Sequence, residues 1–245
     1  SEMCIRDRAE RFGTPLYVYS GDGLVANYTA FASAVSELDC VVHYAVKANS
    51  SLGVLGLLAQ QGAGADIVSG GEMKRALSAG IAPDKIVFSG VGKTDDEIRA
   101  ALQAGIAQIN AESATELRHI SQIAAETGRQ APVALRVNVN VDPGSHAKIS
   151  TGQRSTKFGI PVADGEAAML YRQLCSDPNL IPRGLAVHIG SQLRKLDPFE
   201  RSYQELLALA DMLRAEGLDV PMLDLGGGLG VDYEEDKTPD FDAYG

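Results

Sequence analysis

The fold is decided by the stretch Val41-Val42-His43-Tyr44-Ala45-Val46-Lys47-Ala48-Asn49. Five of its first six residues are β-branched, aromatic or small and apolar, which predicts a buried strand that ends at Lys47. A lysine at a strand end is ordinarily solvated. At the mouth of a barrel, however, burial can lower the pKa of a lysine and make its amine a Schiff-base nucleophile. The residues at the other strand ends decide between these interpretations.

Strand-like and helix-like segments alternate along the chain after this stretch. Counted from the lysine strand, seven strands are predicted, and they end near Lys47, Val68, Ser89, Asn110, Val139, Ile189 and Leu225. Helices are predicted between them over 52–61, 70–79, 94–104, 113–127, 163–174 and 198–216. Such a βα series indicates a parallel sheet with right-handed crossovers.

Two α/β architectures have this pattern, an open doubly wound sheet and a closed (β/α)8 barrel. An open sheet usually carries its glycine-rich phosphate loop after the first strand. Here the glycines of Gly226-Gly227-Gly228-Leu229-Gly230 follow the seventh strand, which is where barrels bind phosphate. We therefore expect a TIM-type barrel, truncated at its C-terminal end with about seven of its eight strands present, because Pro239-Asp240-Phe241 begins a further helix just before Gly245.

The sequence divides into three expected parts. Residues 1–13 are expected to be a non-native or disordered leader, because their start shows no periodicity. Residues 14–40 hold a predicted strand, Thr14–Tyr19, and a helix from Ser20 or Asp22 to about Glu37, and they lead into the barrel. Residues 41–245 form the incomplete barrel domain.

Composition excludes several classes of function. A formal net charge of −10 argues against binding of nucleic acid or of an anionic membrane surface. No apolar run reaches the roughly 20 residues of a membrane-spanning helix. The three cysteines, Cys4, Cys40 and Cys175, lie far apart, which argues against a disulfide framework or a structural zinc site and favours the cytoplasm.

Several strand ends carry polar residues that belong to a site rather than to a core. His188 follows the sixth strand, where it could be a structural hydrogen-bonding residue or a flat group that stacks on a cofactor ring, and Ser191 beside it could bind a phosphate. Arg136 lies inside the fifth strand, and a charge buried there needs a partner. Asp66 and Glu72 are the expected partners of Arg136 or of Lys47.

One connection is much longer than the others. More than 40 residues separate Val139 from Gly184, and the stretch Asp142–Phe158 is rich in Gly, Ser, Lys and His. A long connection at the carboxyl ends of barrel strands is either an active-site loop, which we expect, or an ordinary surface excursion. Taken together, an amine, a glycine cradle, a flat imidazole and an inward guanidinium suit pyridoxal 5′-phosphate (PLP).

The chain resembles the diaminopimelate decarboxylase branch of the barrel-type PLP-dependent decarboxylases, a group that also holds ornithine and arginine decarboxylases. The resemblance covers about Thr14 to Gly245. It rests on Tyr44–Asn49, Asp66–Glu72, Gly90–Thr94, Asn110–Ser113, Ile149–Gly152, Lys157–Ile160, His188–Gln192 and Leu225–Gly230. The segments Ile149–Gly152, Lys157–Ile160 and His188–Gln192 are specific to the diaminopimelate branch.

The resemblance implies a role for each candidate residue. Lys47 would carry PLP as an internal aldimine, His188 would stack on the ring, and Ser191 with Gly226, Gly227 and Gly228 would hold the phosphate. Asp66, Glu72 and Arg136 would line the pocket. The implied reaction is the decarboxylation of meso-2,6-diaminopimelate to L-lysine and CO2, the last step of lysine biosynthesis, with Lys47 and His188 as catalytic residues in a cytoplasmic homodimer.

The sequence also departs from the family pattern. The Glu-Pro-Gly-Arg segment that follows the barrel in the family, and the second β-domain with its Cys and Tyr residues, are absent. We therefore expect this piece alone to be poorly stable and inactive. The alternatives are a PLP decarboxylase acting on arginine, ornithine or carboxynorspermidine, a non-catalytic PLP-binding barrel protein, and a purely structural barrel with a solvated Lys47.

Overall fold

The computed structural model describes residues 5–141, 158–231 and 239–245. Eight strands lie in these ranges: β1 His43–Ala45, β2 Gly64–Ile67, β3 Ile86–Phe88, β4 Gln108–Ala111, β5 Ala131–Asn138, β6 Ile160–Pro161, β7 Leu180–Val187 and β8 Met222–Asp224. Nine α-helices accompany them in the same ranges: α1 Ile5–Phe12, α2 Gly21–Ala34, α3 Leu52–Gln60, α4 Gly70–Ser78, α5 Asp95–Ala104, α6 Ala114–Thr127, α7 Glu166–Ser176, α8 Asp197–Ala215 and α9 Phe241–Tyr244.

All the strands belong to one parallel sheet. Its order is β1-β2-β3-β4-β5-β7-β8, and the short β6 pairs with the end of β5. This order follows the chain, as in a barrel, and lacks the reversal of a doubly wound sheet. Because the strands run in parallel, their carboxyl ends meet at one edge of the sheet.

The sheet is strongly curled. In its order, β5 and β7 separate β4 from β8, so a flat sheet would place these two strands about 14 Å apart. The amide of Asn110 on β4 nevertheless donates a hydrogen bond of 2.9 Å to Asp224 on β8. The side chains on the inner face therefore meet across the interior, which confirms the predicted barrel-type sheet, with seven strands in chain order among the described residues.

The helices cover the outer face of the sheet and form the main core with it. Fully buried apolar residues come from successive strands, including Ile67, Phe88, Ile109, Leu135 and Leu185. Their burial removes the apolar face of each strand from water, which is the dominant stabilising contribution to such a fold. The core therefore holds the carboxyl ends of the strands in fixed positions.

The helix starts that bear on the site are capped by hydroxyl side chains. Thr94 accepts a hydrogen bond from the amide of Glu97, whose carboxylate accepts one from the amide of Thr94, so α5 begins with a complete capping box. The hydroxyl of Ser113 accepts a hydrogen bond from the amide of Glu116 in the same way at the start of α6. The carboxylate of Glu116, however, accepts from the amide of Glu112 at 2.7 Å, so this second box is only half formed.

One expectation about the first part of the chain is wrong. The segment Thr14–Tyr19 is not a strand, because none of the described residues pairs with it, and Tyr17 is 84% exposed. The structure describes α1 within the expected leader, residues 1–13, and none of the residues of this helix is buried. That this leader is non-native stays a prediction.

The predicted barrel helices and strands agree with the structure to within a few residues. The helix predicted to begin near Phe241 is confirmed as α9, with Asp240 accepting a hydrogen bond from the amide of Ala243. The two-residue β6 was not predicted, since it is too short to show periodicity. The predicted active-site loop over 142–158 lies outside the described residues, except for Phe158. None of the described helices is both long and apolar enough to cross a membrane.

Candidate active site

Lys47 lies in the 3-10 turn Val46–Ala48 that directly follows β1. Val46 is fully buried and anchors this turn, whereas Lys47 is exposed. Its charge nevertheless lowers the pKa values of both Asp66 and His188, which lie at the ends of two other strands. Lys47 therefore faces the mouth of the barrel.

Asp66 points into the barrel from β2. The pKa of its carboxyl group is raised from 3.8 to about 6, mainly by burial and to a smaller extent by the nearby charge of Asp224. A hydrogen bond of 2.6 Å from the hydroxyl of Ser89 opposes this shift, as do the positive charges of Lys47 and Arg136. Asp66 is therefore mostly ionised at neutral pH and titrates in mildly acidic solution.

Arg136 pairs with a residue that was not predicted. Its guanidinium donates to Glu112 at 2.7 Å, and the two side chains are only 12% and 3% exposed. The amide of Gly90 donates to the same carboxylate oxygen at 3.0 Å. The ring of Phe158 lies beneath the guanidinium, with 5.5 Å between the guanidinium carbon and the ring centroid. Arg136 is thus inward and paired, as a buried charge must be.

Glu72 does not join this group as an ionic partner of Arg136. One of its carboxylate oxygens accepts a hydrogen bond of 2.7 Å from the amide of Val68, and its own amide donates to the hydroxyl of Ser69. These are local bonds that close the turn before α4, where the helix dipole also favours an anion. The expectation that Glu72 would pair with Arg136 is therefore wrong.

A buried lysine, Lys93, holds the backbone of Glu112 in place through Glu116. Its ammonium is only 1% exposed and forms an ion pair of 3.0 Å with Glu116. It also donates to the carbonyl oxygens of Gly90, at 2.6 Å, and of Asn110, at 2.7 Å. Because the other oxygen of Glu116 accepts from the amide of Glu112, the loop after β3 and the end of β4 are held together.

His188 directly follows β7 and contacts the glycine loop. The amide of Gly227 donates to its Nδ1 at 3.4 Å, which leaves the ring proton on Nε2. The pKa of His188 is lowered from 6.5 to about 4, mainly by burial and in addition by the positive charges of Arg136 and Lys47. At neutral pH the group is therefore a flat, uncharged imidazole.

The glycine loop, defined as Gly226–Gly230, packs backbone to backbone against the segment after β7. Gly226 and Gly228 have φ values of 70° and 110°, and a Cβ atom on them would overlap the carbonyl oxygens of Val187 and Gly190. Only glycine fits both positions. Gly227 has open space around its missing side chain, and the exposed Ser191 adjoins Gly228.

Sequence reasoning placed Lys47, Asp66, Arg136, His188, Ser191 and the three glycines at one end of the fold, and the structure brings them together there. It missed Glu112, Lys93 and the interior amide of Asn110. The signal for Glu112 was its position directly after a buried strand, which is the place where barrel site residues occur.

This arrangement fits pyridoxal phosphate on grounds of its own chemistry. An exposed amine, an uncharged flat ring and an inward guanidinium surround one opening, and an open glycine beside an exposed hydroxyl offers room for an anion. One carboxylate oxygen of Glu112 is buried and has no hydrogen-bond partner among the described residues, so a polar group is still required beside Arg136.

Comparison with known proteins bears on the cofactor directly. The family model described as "Pyridoxal-dependent decarboxylase, pyridoxal binding domain" matches residues 22–244. The chain belongs to this family. The match confirms the predicted family and, with it, pyridoxal phosphate as the cofactor of this domain.

Individual members of the family are similar over almost the whole chain. The diaminopimelate decarboxylase of Pseudomonas aeruginosa is 50% identical over 231 residues, which are 94% of this chain and 55% of that protein. The diaminopimelate decarboxylase of Vibrio cholerae is 49% identical over 99% of this chain and 58% of that protein. The chain therefore spans little more than half the length of these curated relatives.

Solved structures show the same fold. The structure of diaminopimelate decarboxylase from Helicobacter pylori in complex with L-lysine is 39% identical, with a TM-score of 0.93 over 98% of this chain and 60% of that chain. The lysine decarboxylase of Selenomonas ruminantium is 26% identical, with a TM-score of 0.85. The barrel fold is thus confirmed, while the role of each site residue stays a prediction.

Proposed function

We propose that the protein carrying this chain decarboxylates meso-2,6-diaminopimelate to L-lysine and CO2, as the last step of lysine biosynthesis. The observation that carries the proposal is the convergence of Lys47, Asp66, Arg136 and His188 at one end of the barrel. The substrate is suggested by the relatives, since those at about 50% identity are named diaminopimelate decarboxylases and one solved relative holds L-lysine. We also propose that the protein is a cytoplasmic homodimer.

Each site residue has a proposed part in holding the cofactor. The amine of Lys47 would bind its aldehyde, and the uncharged imidazole of His188 would lie against its ring. Ser191 with Gly226, Gly227 and Gly228 would hold its phosphate, for which the exposed Gly227 offers room. Glu72, which closes the turn before α4, would line the pocket.

Pyridoxal phosphate, when bound, supplies a sink for the electron pair that departing CO2 leaves behind. The residues of this chain provide the surroundings for that chemistry. The mostly ionised Asp66 balances the positive charges of Lys47 and Arg136, because all three act on one another within the barrel mouth. The ion pair with Glu112 fixes Arg136, so its guanidinium keeps one direction throughout the reaction.

The substrate assignment is tested by a parallel assay on the protein as its gene encodes it. CO2 release would be measured with meso-diaminopimelate, L-lysine, L-ornithine and L-arginine as substrates. We expect a kcat/KM for meso-diaminopimelate at least about a hundredfold higher than for the others, since a site that pairs a polar substrate group rejects analogues lacking it strongly. Faster turnover of any of the other three would reject the proposed substrate.

A second candidate is a decarboxylase acting on another basic amino acid. The likeness to the lysine decarboxylase of Selenomonas ruminantium favours it, because the same barrel extends over 100% of this chain. The same assay distinguishes the two candidates. Binding of pyridoxal phosphate without CO2 release from any of the four substrates would instead support a non-catalytic barrel protein.

A further inference from the structure

The barrel interior contains a buried network of hydrogen-bonded polar side chains, here called the polar network. The proposed cofactor contacts do not explain it. Barrel interiors are usually filled by branched apolar side chains. Here Gln108 and Asn110, both on β4, are only 5% and 2% exposed, and their side chains point to the inside. Buried amides are costly unless they are hydrogen-bonded, so their partners reveal what they hold in place.

Asn110 is the centre of the polar network, and its side chain forms three hydrogen bonds. Its amide nitrogen donates to the hydroxyl of Ser89 at 3.1 Å and to a carboxylate oxygen of Asp224 at 2.9 Å. Its side-chain oxygen Oδ1 accepts a hydrogen bond of 2.7 Å from the side-chain nitrogen Nε2 of Gln108. These bonds link β3, β4 and β8 across the curled sheet.

The direction of every bond is determined by chemistry. An ionised carboxylate can only accept, so the group of Asn110 that faces Asp224 must be its NH2. The same NH2 donates to Ser89, which leaves the proton of the Ser89 hydroxyl for Asp66 at 2.6 Å. Gln108 therefore orients Asn110, and Asn110 orients Ser89 toward Asp66.

One end of the polar network is anchored in the glycine loop. The second carboxylate oxygen of Asp224 accepts from the amide of Gly226 at 3.0 Å. The other end is Asp66, whose carboxyl group senses the charges of Lys47 and Arg136. One continuous set of hydrogen bonds thus joins the glycine loop to the neighbour of Lys47.

We propose that Asn110 is a positioning residue that holds Ser89 and Asp224 so that the carboxyl group of Asp66 is fixed, in its ionised form, beside Lys47. This inference rests on the proposed function only in giving Lys47 a cofactor to bind. The groups that act on Asp66 come from every neighbouring element: Lys47 after β1, Ser89 after β3, Arg136 on β5 and Asp224 on β8. Without the directed hydroxyl of Ser89, burial and Asp224 would favour the protonated form.

The experiment measures the titration midpoint of Asp66 in the protein as its gene encodes it, freed of cofactor. The carboxyl carbons of aspartate would be labelled with carbon-13, and the Asp66 resonance assigned by its loss in Asp66→Asn. The test variants are Ser89→Ala, Ser89→Thr and Asn110→Leu, with Asn110→Ala as the replacement if Asn110→Leu does not fold.

The chain offers matched controls outside the barrel. The amide of Asn179 donates to the hydroxyl of Ser121 at 3.2 Å, which repeats the Asn110–Ser89 pair away from the site. Ser121→Ala and Asn179→Leu therefore remove the same chemistry from another place. They would be measured beside the test variants, with circular dichroism to verify that each variant is folded.

We expect Ser89→Ala to raise the Asp66 midpoint by about one pKa unit, since a hydrogen bond to a charged group is worth that much. Asn110→Leu should raise it by roughly half a unit or more, because the Ser89 hydroxyl then loses its fixed direction. Ser89→Thr, which keeps the hydroxyl, and both controls should leave the midpoint in place.

A folded Asn110 variant with an unchanged Asp66 midpoint would overturn the proposal, as would an equal shift in the Asn179→Leu control. Neither result depends on cofactor or substrate, because the titration is carried out without them. If the proposed decarboxylation is wrong, the titration still tests the role of Asn110. If the role of Asn110 is wrong, the assay of CO2 release still tests the decarboxylation.

Discussion

Lys47 and Lys93 both follow a strand at the same edge of the barrel, yet their surroundings are opposite. Lys93 is 1% exposed, and its three N–H groups meet the carbonyl oxygens of Gly90 and Asn110 and the carboxylate of Glu116. Lys47 is exposed, and within the described part of the chain no acceptor bonds its ammonium. The buried lysine, Lys93, stabilises the structure, whereas the exposed lysine, Lys47, is free to react.

The first prediction concerns the buried lysine and has the largest expected effect. Lys93→Met should lower the free energy of unfolding by about 3–5 kcal/mol, because it leaves Glu116 and two carbonyl groups buried without their cation. Urea denaturation measures the change. Lys93→Arg, which keeps the charge, is the conservative comparison and should cost less. A loss below about 1 kcal/mol in Lys93→Met would remove the distinction between the two lysines.

The second prediction uses the two titrating neighbours of Lys47. Asp66 has a raised pKa of about 6, so its stabilising contribution is present below pH 4 and is lost as the pH rises through 6. His188 has a lowered pKa of about 4, so its contribution is present above pH 6.5 and is lost as the pH falls through 4. Each amounts to roughly 2–3 kcal/mol, and the two oppose each other.

Single variants should expose the two opposing contributions. Between pH 4 and 6.5 the stability of Asp66→Asn should rise with pH, while that of His188→Asn should fall with pH. Urea midpoints across this range measure both slopes, and the unsubstituted protein should show little slope of its own. Equal slopes in the two variants would contradict the opposite pKa shifts of Asp66 and His188.

The third prediction tests the packing of the glycine loop. Gly228→Ala should destabilise the protein by about 1–3 kcal/mol, because φ is 110° there and a Cβ atom would overlap the carbonyl of Gly190. Gly227→Ala is the matched control, since nothing lies within 4 Å of its added carbon. Thermal unfolding compares the pair, and equal losses would contradict the proposed packing of the loop.

The fourth prediction concerns the open lysine and has the smallest effect on stability. Lys47→Met should change the free energy of unfolding by no more than about 0.5 kcal/mol, as expected for an exposed side chain without a bonded partner. Urea denaturation in the absence of pyridoxal phosphate measures it. A loss as large as that of Lys93→Met would mean that Lys47 is also part of the structure.

The sequence predicted the strand ends well because hydrophobic runs and their spacing are local properties. Lys47, Arg136 and His188 were found since each is a polar residue at the end of, or inside, an apolar run. The glycine loop was found from its place after the seventh strand. In these cases the signal lies within a few residues of the site residue itself.

The partners of these residues could not be predicted in the same way. Arg136 was expected to pair with Asp66 or Glu72, but the curl of the sheet brings Glu112 to its guanidinium. Asn110 meets Asp224 across 114 positions of sequence, and no periodicity encodes such a contact. Thr14–Tyr19 failed for a related reason, because a strand requires a pairing partner and the described residues provide none.

Chemical trapping determines whether Lys47 carries the cofactor. The protein as its gene encodes it would be incubated with pyridoxal phosphate, reduced with borohydride and digested, and its peptides analysed by mass spectrometry. We expect a pyridoxyl group on the peptide containing Lys47 and none on the peptide containing Lys93. A modification absent from Lys47, or found equally on both lysines, would contradict this expectation.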